Sequence, residues 1–520
     1  MAGSVDDLGR NLARTAEKYD ALPYVSRPFA ETHPARLSAI ARLFGLVAPA
    51  VGNARVLELG CAAGGNLIPM AAHHPEATFV GVDLGGKQVQ DGSDRIARLG
   101  LANIEIRQQS ITDIGPDDGA FDYIICHGVY SWVPDPVREA ILRTCGRNLS
   151  AGGIAYISFN VSPGWCLYQP LREAFRSMIP ANHDETTRVT MARQLLEFMK
   201  QNSPDKGPYG DMLRASPARL AGLGDDYIFH EYMEDENSPC TFNDFAKAAA
   251  GHGLGYLADS HVQMMLPENF GSAFAQALRA NTTNDVVSQE QMIDVLTGRT
   301  FRQTLLVRQE QMDRIDRRLR PEALRGLHFV GPKALKLAND GSAISLTDET
   351  GRTLTTREDA VGPVLERLVK AYPSSMAFSD CLSDLSGRER EVVAEAIFRL
   401  VIAGIVDITT EPVSLAEPGA HPQADELARS DARVGSTMTT NRRHEGVKLD
   451  PAAVELLPHL DGSNDHRSLE KVLLAAALAG RITFRHNGVP VNEPRPLREA
   501  VAGLLPRILD NLAQSGLITG

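Results

Sequence analysis

Residues 55–66, RVLELGCAAGGN, combine a carboxylate with a cluster of small residues, a pattern typical of ligand-binding loops. Glu58 lies two positions before Gly60, near the end of a short apolar run that predicts a strand. A helix is predicted over 66–72, directly after Gly64 and its glycine neighbour. A loop of small residues brings backbone N–H groups close to a ligand, and the following helix N-terminus favours negative charge.

A second carboxylate, Asp83, ends the next predicted strand, nineteen residues after Gly64. A carboxylate in this place accepts hydrogen bonds from ribose hydroxyls. Dinucleotide folds use the spacing G-x-G-x-x-G, but Ala62 and Ala63 occupy the middle of this loop. Glu58, two positions before the first glycine, fits a class I S-adenosylmethionine site better, with its carboxylate toward the ammonium of the methionine part. The alternative is a strand–turn–helix whose small residues serve packing alone.

Further candidates follow the third and fourth predicted strands. Ser110 and Ile111 come after the strand over 104–107, at the edge where an adenine would lie. His127, Tyr130 and Trp132 lie in CHGVYSW, after the strand over 121–126, at the mouth where a methyl group would point. The alternatives are a hydrogen-bonded packing role for the histidine and core or lid packing for the two aromatic residues.

Short apolar runs alternate with helical patterns through the first third of the chain, which predicts a parallel, doubly wound sheet. The predicted strands are 56–59, 79–83, 104–107, 121–126 and 154–159, and the predicted helices are 66–72, 87–99 and 136–149. Helices follow at 172–178, 190–200 and 242–250. We expect late strands at 257–266 and 302–308 to complete the first sheet around this helical insertion.

The last third has a different pattern, three helices and a strand, which is typical of a winged helix. The helices are predicted at 361–372, 378–385 and 390–401, with the strand at 405–408. A second small unit follows this winged-helix pattern. It has predicted helices near 451–460, 468–479 and 501–512 and a hairpin signal at Asn487 and Gly488. The arginine-rich segment 309–325 has interleaved acids and predicts a solvated helix.

The predicted fold class is therefore α/β: a Rossmann-like class I methyltransferase core with a helical insertion, followed by C-terminal winged-helix-like α+β units. The predicted divisions are an N-terminal helical cap (1–50), the core (51–160), the insertion (161–240), a segment that completes the sheet (241–310), a connector (311–354), a winged-helix-like domain (355–412), a linker (413–445) and a second small winged-helix-like domain (446–520).

Net charge, cysteine spacing and the length of apolar runs each argue against a class of function. The 520 residues include 53 basic and 65 acidic side chains, a formal net charge of -12, so a global basic field for nucleic acid is absent. None of the six cysteines forms a CxxC pair, and we expect no metal site. No apolar run approaches the roughly 18 residues of a membrane helix, and the N-terminus has no apolar core of signal-peptide length. We expect a cytoplasmic protein without membrane insertion.

Several longer segments together resemble one family. They are YDALPYVSRPFAETHPARLSAIARLFGL (19–46), VLELGCAAGGNLIPMA (56–71), FVGVDL (79–84), FDYIICHGVYSWVP (121–134) and SFNVSPGW (158–165). They look like bacterial class I methyltransferases with a methyltransferase regulatory domain, whose best-characterised branch is the rickettsial protein-lysine methyltransferases that modify an outer-membrane protein. The resemblance covers roughly residues 19–200 and fades to general architecture beyond.

The resemblance implies a core that binds S-adenosylmethionine, a homodimer, and a C-terminal region beside the substrate cleft. It also implies that the segment with Tyr24, Ser26, Thr32 and His33 folds over the cofactor. The implied cofactor contacts are Glu58, Gly60, Cys61, Gly64, Asn66, Asp83 and Leu84, with Ser110, Ile111 and His127 nearby.

The chain departs from the family in one place, since GCAAGGN stands where the usual loop has GCGDGGN. Ala62 replaces a glycine and Ala63 an acid. If position 62 needs a positive φ, alanine costs about 1 kcal/mol there. Loss of the acid weakens the hold on the methionine ammonium.

Methyl transfer from a sulfonium is an in-line displacement that needs positioning and exclusion of water more than a metal. Tyr24, Tyr130, Trp132 and Trp165 are candidates to line the acceptor slot, where cation–π contact stabilises an ammonium. His127 is a candidate base, although positioning alone is the alternative. Three functions stay open: a protein-lysine methyltransferase, a small-molecule or natural-product methyltransferase, and a cofactor-binding regulator with weak or lost catalysis whose winged helices bind a protein or, less in keeping with the acidic balance, DNA.

Overall fold

The structure is a computed structural model that describes residues 26–204, 206–220, 222–282, 285–331, 335–486, 489–490 and 493–520. Tyr24 and the first half of the predicted N-terminal cap lie outside the described residues. The proposed hairpin turn at Asn487 and Gly488 also lies outside them, although the two short strands on either side pair with each other.

A seven-stranded mixed sheet forms the centre of the molecule. Its strands are β1 (Arg55–Leu59), β2 (Thr78–Asp83), β3 (Ile104–Gln108), β4 (Phe121–Cys126), β5 (Leu149–Asn160), β6 (Leu254–Asp259) and β7 (Phe301–Arg308). They lie in the order β3-β2-β1-β4-β5-β7-β6, with the first five parallel and β7 antiparallel to both its neighbours. The doubly wound sheet and its completion by two late strands are confirmed. The strand predicted over 257–266 ends earlier, since a 3-10 turn, Val262–Met265, follows Asp259.

Helices cover both faces of this sheet. They are α1 (Pro34–Leu43), α2 (Leu67–His73), α3 (Gly86–Leu99) and α4 (Asp135–Asn148). Strands covered on both faces bury nearly every side chain and are therefore continuous apolar runs. In β4, five of six residues are buried, and in β1 the last four are. The carboxyl ends of β1, β2 and β4 consequently meet at one edge, where a crevice forms in such folds.

The chain between β5 and β7 is mainly helical and has a small core of its own. Its helices are α5 (Gln169–Met178), α6 (Glu185–Asn202), α7 (Pro208–Leu220), α8 (Asp225–Tyr232), α9 (Phe242–Ala250), α10 (Ser272–Asn281) and α11 (Val286–Thr297). Trp165, Phe175 and Phe229 are buried in the core of the first four.

A buried ion network ties α9 and α11 to the sheet. Arg302 of β7 is fully buried and donates from Nε to Asp294 Oδ2 at 2.6 Å and from Nη2 to Glu290 Oε2 at 2.8 Å. Its guanidinium lies 3.9 Å from the centroid of the Phe242 ring. Breaking such a pair leaves an uncompensated buried charge, so the network fixes the position of these helices.

The arginine-rich segment is not the solvated helix that its charge pattern predicts. Two short 3-10 turns, Gln309–Arg314 and Pro321–Leu324, form instead, with irregular chain between them. Arg317 donates to the carbonyl oxygens of Tyr256 at 2.6 Å and Leu257 at 2.5 Å and packs over the Phe44 ring. These tertiary contacts replace the local ion pairs on which the helix prediction depended.

The first C-terminal unit joins short strands to three helices. The strands are β8 (His328–Val330), β9 (Lys336–Asn339), β10 (Ile344–Thr347), β11 (Thr353–Thr356), β12 (Met376–Ala377) and β13 (Asp407–Thr409), and the helices are α12 (Val361–Ala371), α13 (Phe378–Cys381) and α14 (Gly387–Ile402). β12, β8 and β13 form one antiparallel sheet, and β9, β10 and β11 form another.

The second C-terminal unit begins earlier than its composition suggests. Its elements are α15 (Glu426–Arg433), β14 (Met438–Thr440), β15 (Gly446–Lys448), α16 (Pro451–Leu456), α17 (His466–Leu478), β16 (Arg485–His486), β17 (Val489–Pro490) and α18 (Pro494–Gln514). The linker predicted over 413–445 is therefore wrong in its second half. Ala424 and Ile518 pair across the two ends of this unit, and both belong to its apolar core.

Candidate functional site

Glu58 is a buried carboxylate at the carboxyl end of β1. It is 4% exposed, and its Oε1 accepts a hydrogen bond from Asn66 Nδ2 at 2.8 Å. Its Oε2 is buried and has no hydrogen-bond partner among the described residues. Burial raises the pKa of Glu58 to about 8. The hydrogen bond from Asn66 acts to lower this pKa, and the nearby charge of Asp83 acts to raise it. A cation placed at Oε2 would satisfy this oxygen and favour the ionised form.

Asp83 holds the loop after β1 against the end of β2. Its Oδ2 accepts from the backbone N–H of Ala62 at 2.8 Å, and its Oδ1 accepts from that of Gly85 at 2.9 Å. Ala62 has φ 48°, so the position that the resemblance marks for glycine does adopt a left-handed conformation. The loop therefore adopts a left-handed conformation at Ala62 without the glycine that suits it.

The glycines of the loop allow close approach of other segments. A Cβ on Gly60, where φ is 74°, would lie 2.5 Å from Val129 Cγ2. The N–H groups of Gly60 and Cys61 both donate to Val82 O, at 2.9 and 3.1 Å, and are thus used within the protein. The Cys61 side chain is buried against Gly81.

The segment 26–32 crosses this loop. Ser26 Oγ accepts from the backbone N–H of Gly65 at 2.7 Å, and the N–H of Phe29 donates to Asn66 Oδ1 at 2.9 Å. Thr32 is fully buried and accepts from Asn66 Nδ2 at 3.1 Å. The structure therefore places this segment over the loop, with its contacts on Gly65 and Asn66.

His33 lies at the start of α1, beside two other histidines. Its Nδ1 accepts from the N–H of Ala35 at 3.2 Å and caps α1. Its ring centroid is 5.4 Å from that of His74 and 5.1 Å from that of His444.

The predicted adenine edge is built from local hydrogen bonds. Ser110 Oγ accepts from the N–H of Thr112 at 3.2 Å, and Ile111 is buried. Leu84 is half-buried, and its carbonyl oxygen accepts from Gln108 Nε2 at 3.3 Å. The Ser110 hydroxyl thus caps the 3-10 turn after β3.

His127, directly after β4, faces an aromatic wall. Its Nδ1 lies 3.0 Å from the hydroxyl of Tyr156, and its ring centroid lies 3.9 Å from that of Phe29. Burial lowers the pKa of His127 to about 4, so the imidazole is uncharged at neutral pH. Phe29 belongs to the segment that crosses the loop after β1. It therefore contacts both Asn66, through its backbone N–H, and the ring of His127.

The other candidate catalytic residues make ring contacts of their own. Tyr130 is buried, with its ring 5.3 Å from Phe245 and 6.0 Å from Phe159, a position that favours packing. Trp132 and Trp165 make an edge-to-face contact at 6.1 Å beside the core of the helical insertion. The structure thus brings the two tryptophans together, while the Tyr130 ring packs against Phe159 and Phe245.

The sequence interpretation missed three contributors to this region: Phe29, Tyr156 and His444. His444 Nε2 lies 2.8 Å from Asn66 Oδ1, across 378 residues of chain. No local pattern in the sequence links these two positions, since the contact depends on how the second C-terminal unit docks.

Three family models match the chain. They are a methyltransferase domain over residues 56–153, a predicted methyltransferase regulatory domain over 224–308, and the C-terminal winged helix domain of PKMT over 421–517. An uncharacterised protein of Rickettsia prowazekii, RP789, is 32% identical across 96% of this chain and 93% of its own length. The chain is a class I methyltransferase of the family that carries a regulatory domain.

Solved structures agree with this assignment. The methyltransferase matches PKMT2 from Rickettsia typhi with a TM-score of 0.84 and 27% identity over 96% of this chain and 100% of that one. The same protein in complex with AdoHcy matches with a TM-score of 0.84 and 26% identity over the same shares. S-adenosylmethionine is therefore the cofactor of this methyltransferase. The buried Oε2 of Glu58, which lacks a partner in the part of the chain that the structure describes, suits the ammonium of that cofactor.

No helix in the described ranges is both long and apolar enough to cross a bilayer. Within the same ranges, no three His, Cys, Asp or Glu side chains are grouped in a way that would hold a metal ion.

Proposed function

We propose that this methyltransferase transfers methyl groups from S-adenosylmethionine to lysine side chains of a protein. The observation that carries the proposal is the match to PKMT2 along nearly the whole chain, which includes the winged helix domain as well as the catalytic core. A fold of the core alone would support many acceptors, since class I cores serve unrelated substrates. The extra C-terminal unit is what favours a protein acceptor.

We propose that Glu58 and Asp83 hold the two ends of the cofactor. Glu58 is buried, with one oxygen that has no partner among the described residues, and is suited to an ammonium, and Asp83 ends β2 where ribose hydroxyls lie in such folds. Asn66, Thr32, which hydrogen-bonds to it, and His33 stay proposed as cofactor contacts, as the resemblance implies. The remaining proposed contacts are Gly60, Cys61, Gly64, Leu84, Ser110, Ile111 and His127, as the resemblance implies. The cofactor supplies a methyl group already activated by its sulfonium.

On the acceptor side, we propose that His127 receives a proton or orients the amine. With Nδ1 protonated and donating to Tyr156, the neutral ring keeps Nε2 as an acceptor. A lysine must be uncharged to attack, and an apolar wall lowers its pKa. Trp132 and Trp165 stay proposed as residues that line the acceptor side, and Tyr130 as support for the segment that carries His127.

The test is mass spectrometry of proteins incubated with the enzyme and labelled cofactor. We expect label on lysine side chains of intact protein. Label only in small molecules would contradict a protein acceptor and would favour the second class of substrates. Binding of cofactor without transfer to either class would favour the regulator. A homodimer, a cytoplasmic location and the lack of a nucleic-acid partner remain predictions, and light scattering of the purified chain tests the first.

A further inference from the structure

A turn of the second C-terminal unit reaches the cofactor loop. The turn joins β14 to β15 and is fixed by Asn441, whose Oδ1 accepts from the N–H groups of Arg443 and Glu445 at 2.9 and 3.0 Å. Asn441 Nδ2 also donates to the carbonyl oxygen of Ser515 at 3.0 Å, which ties the turn to the end of α18. Contacts within the second C-terminal unit therefore fix the shape of this turn.

Several contacts seat this turn and α15 on the core. Arg95 of α3 donates twice to Asp431, at 3.1 and 2.8 Å, and Asp431 is only 4% exposed. Asp425 accepts from Arg442 at 2.9 Å and pairs with His73 of α2 at 3.2 Å. Buried bidentate pairs of this kind fix orientation as well as distance.

His444 is the residue of the turn that enters the core. It is 3% exposed and has φ 60°, one of two positive values at non-glycine positions in the described part of the chain. A histidine in this conformation is strained, which surrounding contacts must offset. In this conformation the imidazole lies against Asn66, with Nε2 2.8 Å from Oδ1.

The hydrogen bonds around Asn66 define the donor on His444. The backbone N–H of Phe29 requires an acceptor, which identifies the facing amide atom as Oδ1. His444 Nε2, at 2.8 Å from the same oxygen, must then carry the hydrogen. Its Nδ1 is then the unprotonated nitrogen, and it has no partner among the described residues. With Oδ1 held on this side, the amide N–H of Asn66 points to Glu58 Oε1.

We propose that His444 is a positioning residue of the cofactor site, supplied by the winged helix unit: it fixes the amide of Asn66 and thereby aligns Glu58 for the cofactor ammonium. The inference rests on the proposed role of Glu58 in holding the cofactor. It gives the C-terminal unit a part in cofactor binding that its distance along the chain does not suggest.

The test is calorimetric titration of the full-length chain with S-adenosylhomocysteine. His444→Asn keeps a residue that tolerates positive φ but is too short to reach Asn66. His444→Gln carries an amide nitrogen at the place of Nε2. We expect His444→Asn to lose about tenfold in affinity and His444→Gln to stay within about threefold of the native chain. Recovery by glutamine separates positioning from packing.

Arg95→Ala is the matched control, because it removes another contact of the same docking surface without touching Asn66. We expect its affinity to stay within about twofold of the native value. Equal losses for Arg95→Ala and His444→Asn, or native affinity for a folded His444→Asn, would overturn the proposal. Thermal melts establish folding, and His444→Gly replaces His444→Asn if the latter does not fold.

Asn66→Ala and Glu58→Gln separate failure of this inference from failure of the site. If these two variants lose affinity while His444→Asn does not, only the role of His444 is wrong. If both bind like the native chain, the cofactor site itself is misassigned and the role of His444 falls with it.

Discussion

The backbone N–H of Ala62 donates to the carboxylate of Asp83 at 2.8 Å, while Ala62 itself has φ 48°. The hydrogen bond keeps the loop after β1 against the end of β2, in a left-handed conformation that costs an alanine about 1 kcal/mol. The loop is therefore strained at the residue that joins the two strands of the proposed cofactor site.

Ala62→Gly is expected to stabilise the chain by about 1 kcal/mol, because glycine adopts positive φ without a Cβ clash. Ala63→Gly is the control, since Ala63 has no positive φ and its replacement only adds freedom to the unfolded chain. Denaturant unfolding of the three proteins measures the difference. A glycine at 62 that stabilises no more than a glycine at 63 would show that the loop is not strained there.

Glu58 makes the stability of the fold depend on pH. Burial, against the hydrogen bond from Asn66 and with the charge of Asp83, raises its pKa from the ordinary 4.5 to about 8. Between these values the folded chain keeps a proton that the unfolded chain has released, so the free energy of unfolding falls as pH rises. Glu58→Gln, which cannot ionise, should gain stability over the native chain by a growing margin from about pH 5 to about pH 8.

Denaturant unfolding of both chains across this range measures the margin. His127 and His444 have pKa values lowered by burial and act in the opposite sense, since their contribution is lost as pH falls below 6.5. Both chains carry these histidines, so their contribution cancels in the difference. A margin independent of pH would mean that Glu58 does not titrate in this window.

Trp165→Ala is expected to lower turnover more than cofactor affinity, because Trp165 packs with Trp132 beside the insertion rather than on the cofactor loop. Trp165→Phe retains an aromatic ring and should recover most of the turnover. Steady-state kinetics and calorimetry on both variants give the two quantities. Native turnover and native affinity in a folded Trp165→Ala would leave this residue with packing alone.

The sequence predicts the parts of this molecule that depend on local pattern. The buried strands, the small-residue loop and Asp83 at the end of β2 follow from apolar runs and spacing, and the structure places each of them as expected. The sequence also predicts that the late strands join the first sheet, although β6 begins and ends earlier than its pattern suggests.

The rest depends on contacts between distant segments. The segment 413–445 has a composition typical of linkers, yet Asp425 and Asp431 are buried there because histidine and arginine side chains of the core pair with them. Arg317 likewise donates hydrogen bonds to two backbone carbonyl oxygens instead of pairing with a nearby acid in solvent. Composition alone predicts that such charged residues are exposed to solvent. Their partners are known only once the packing of the distant segments is known.

The central claim is that S-adenosylmethionine lies between Glu58 and Asp83. The most direct measurement is calorimetric titration of S-adenosylhomocysteine into Asp83→Ala, with the exposed Asp113→Ala as the matched control and thermal melts to establish folding. We predict that Asp83→Ala weakens binding by about 1–3 kcal/mol, since a charge-assisted hydrogen bond to the ribose is lost, while Asp113→Ala binds like the native chain. Native affinity in a folded Asp83→Ala would contradict the assignment of the site.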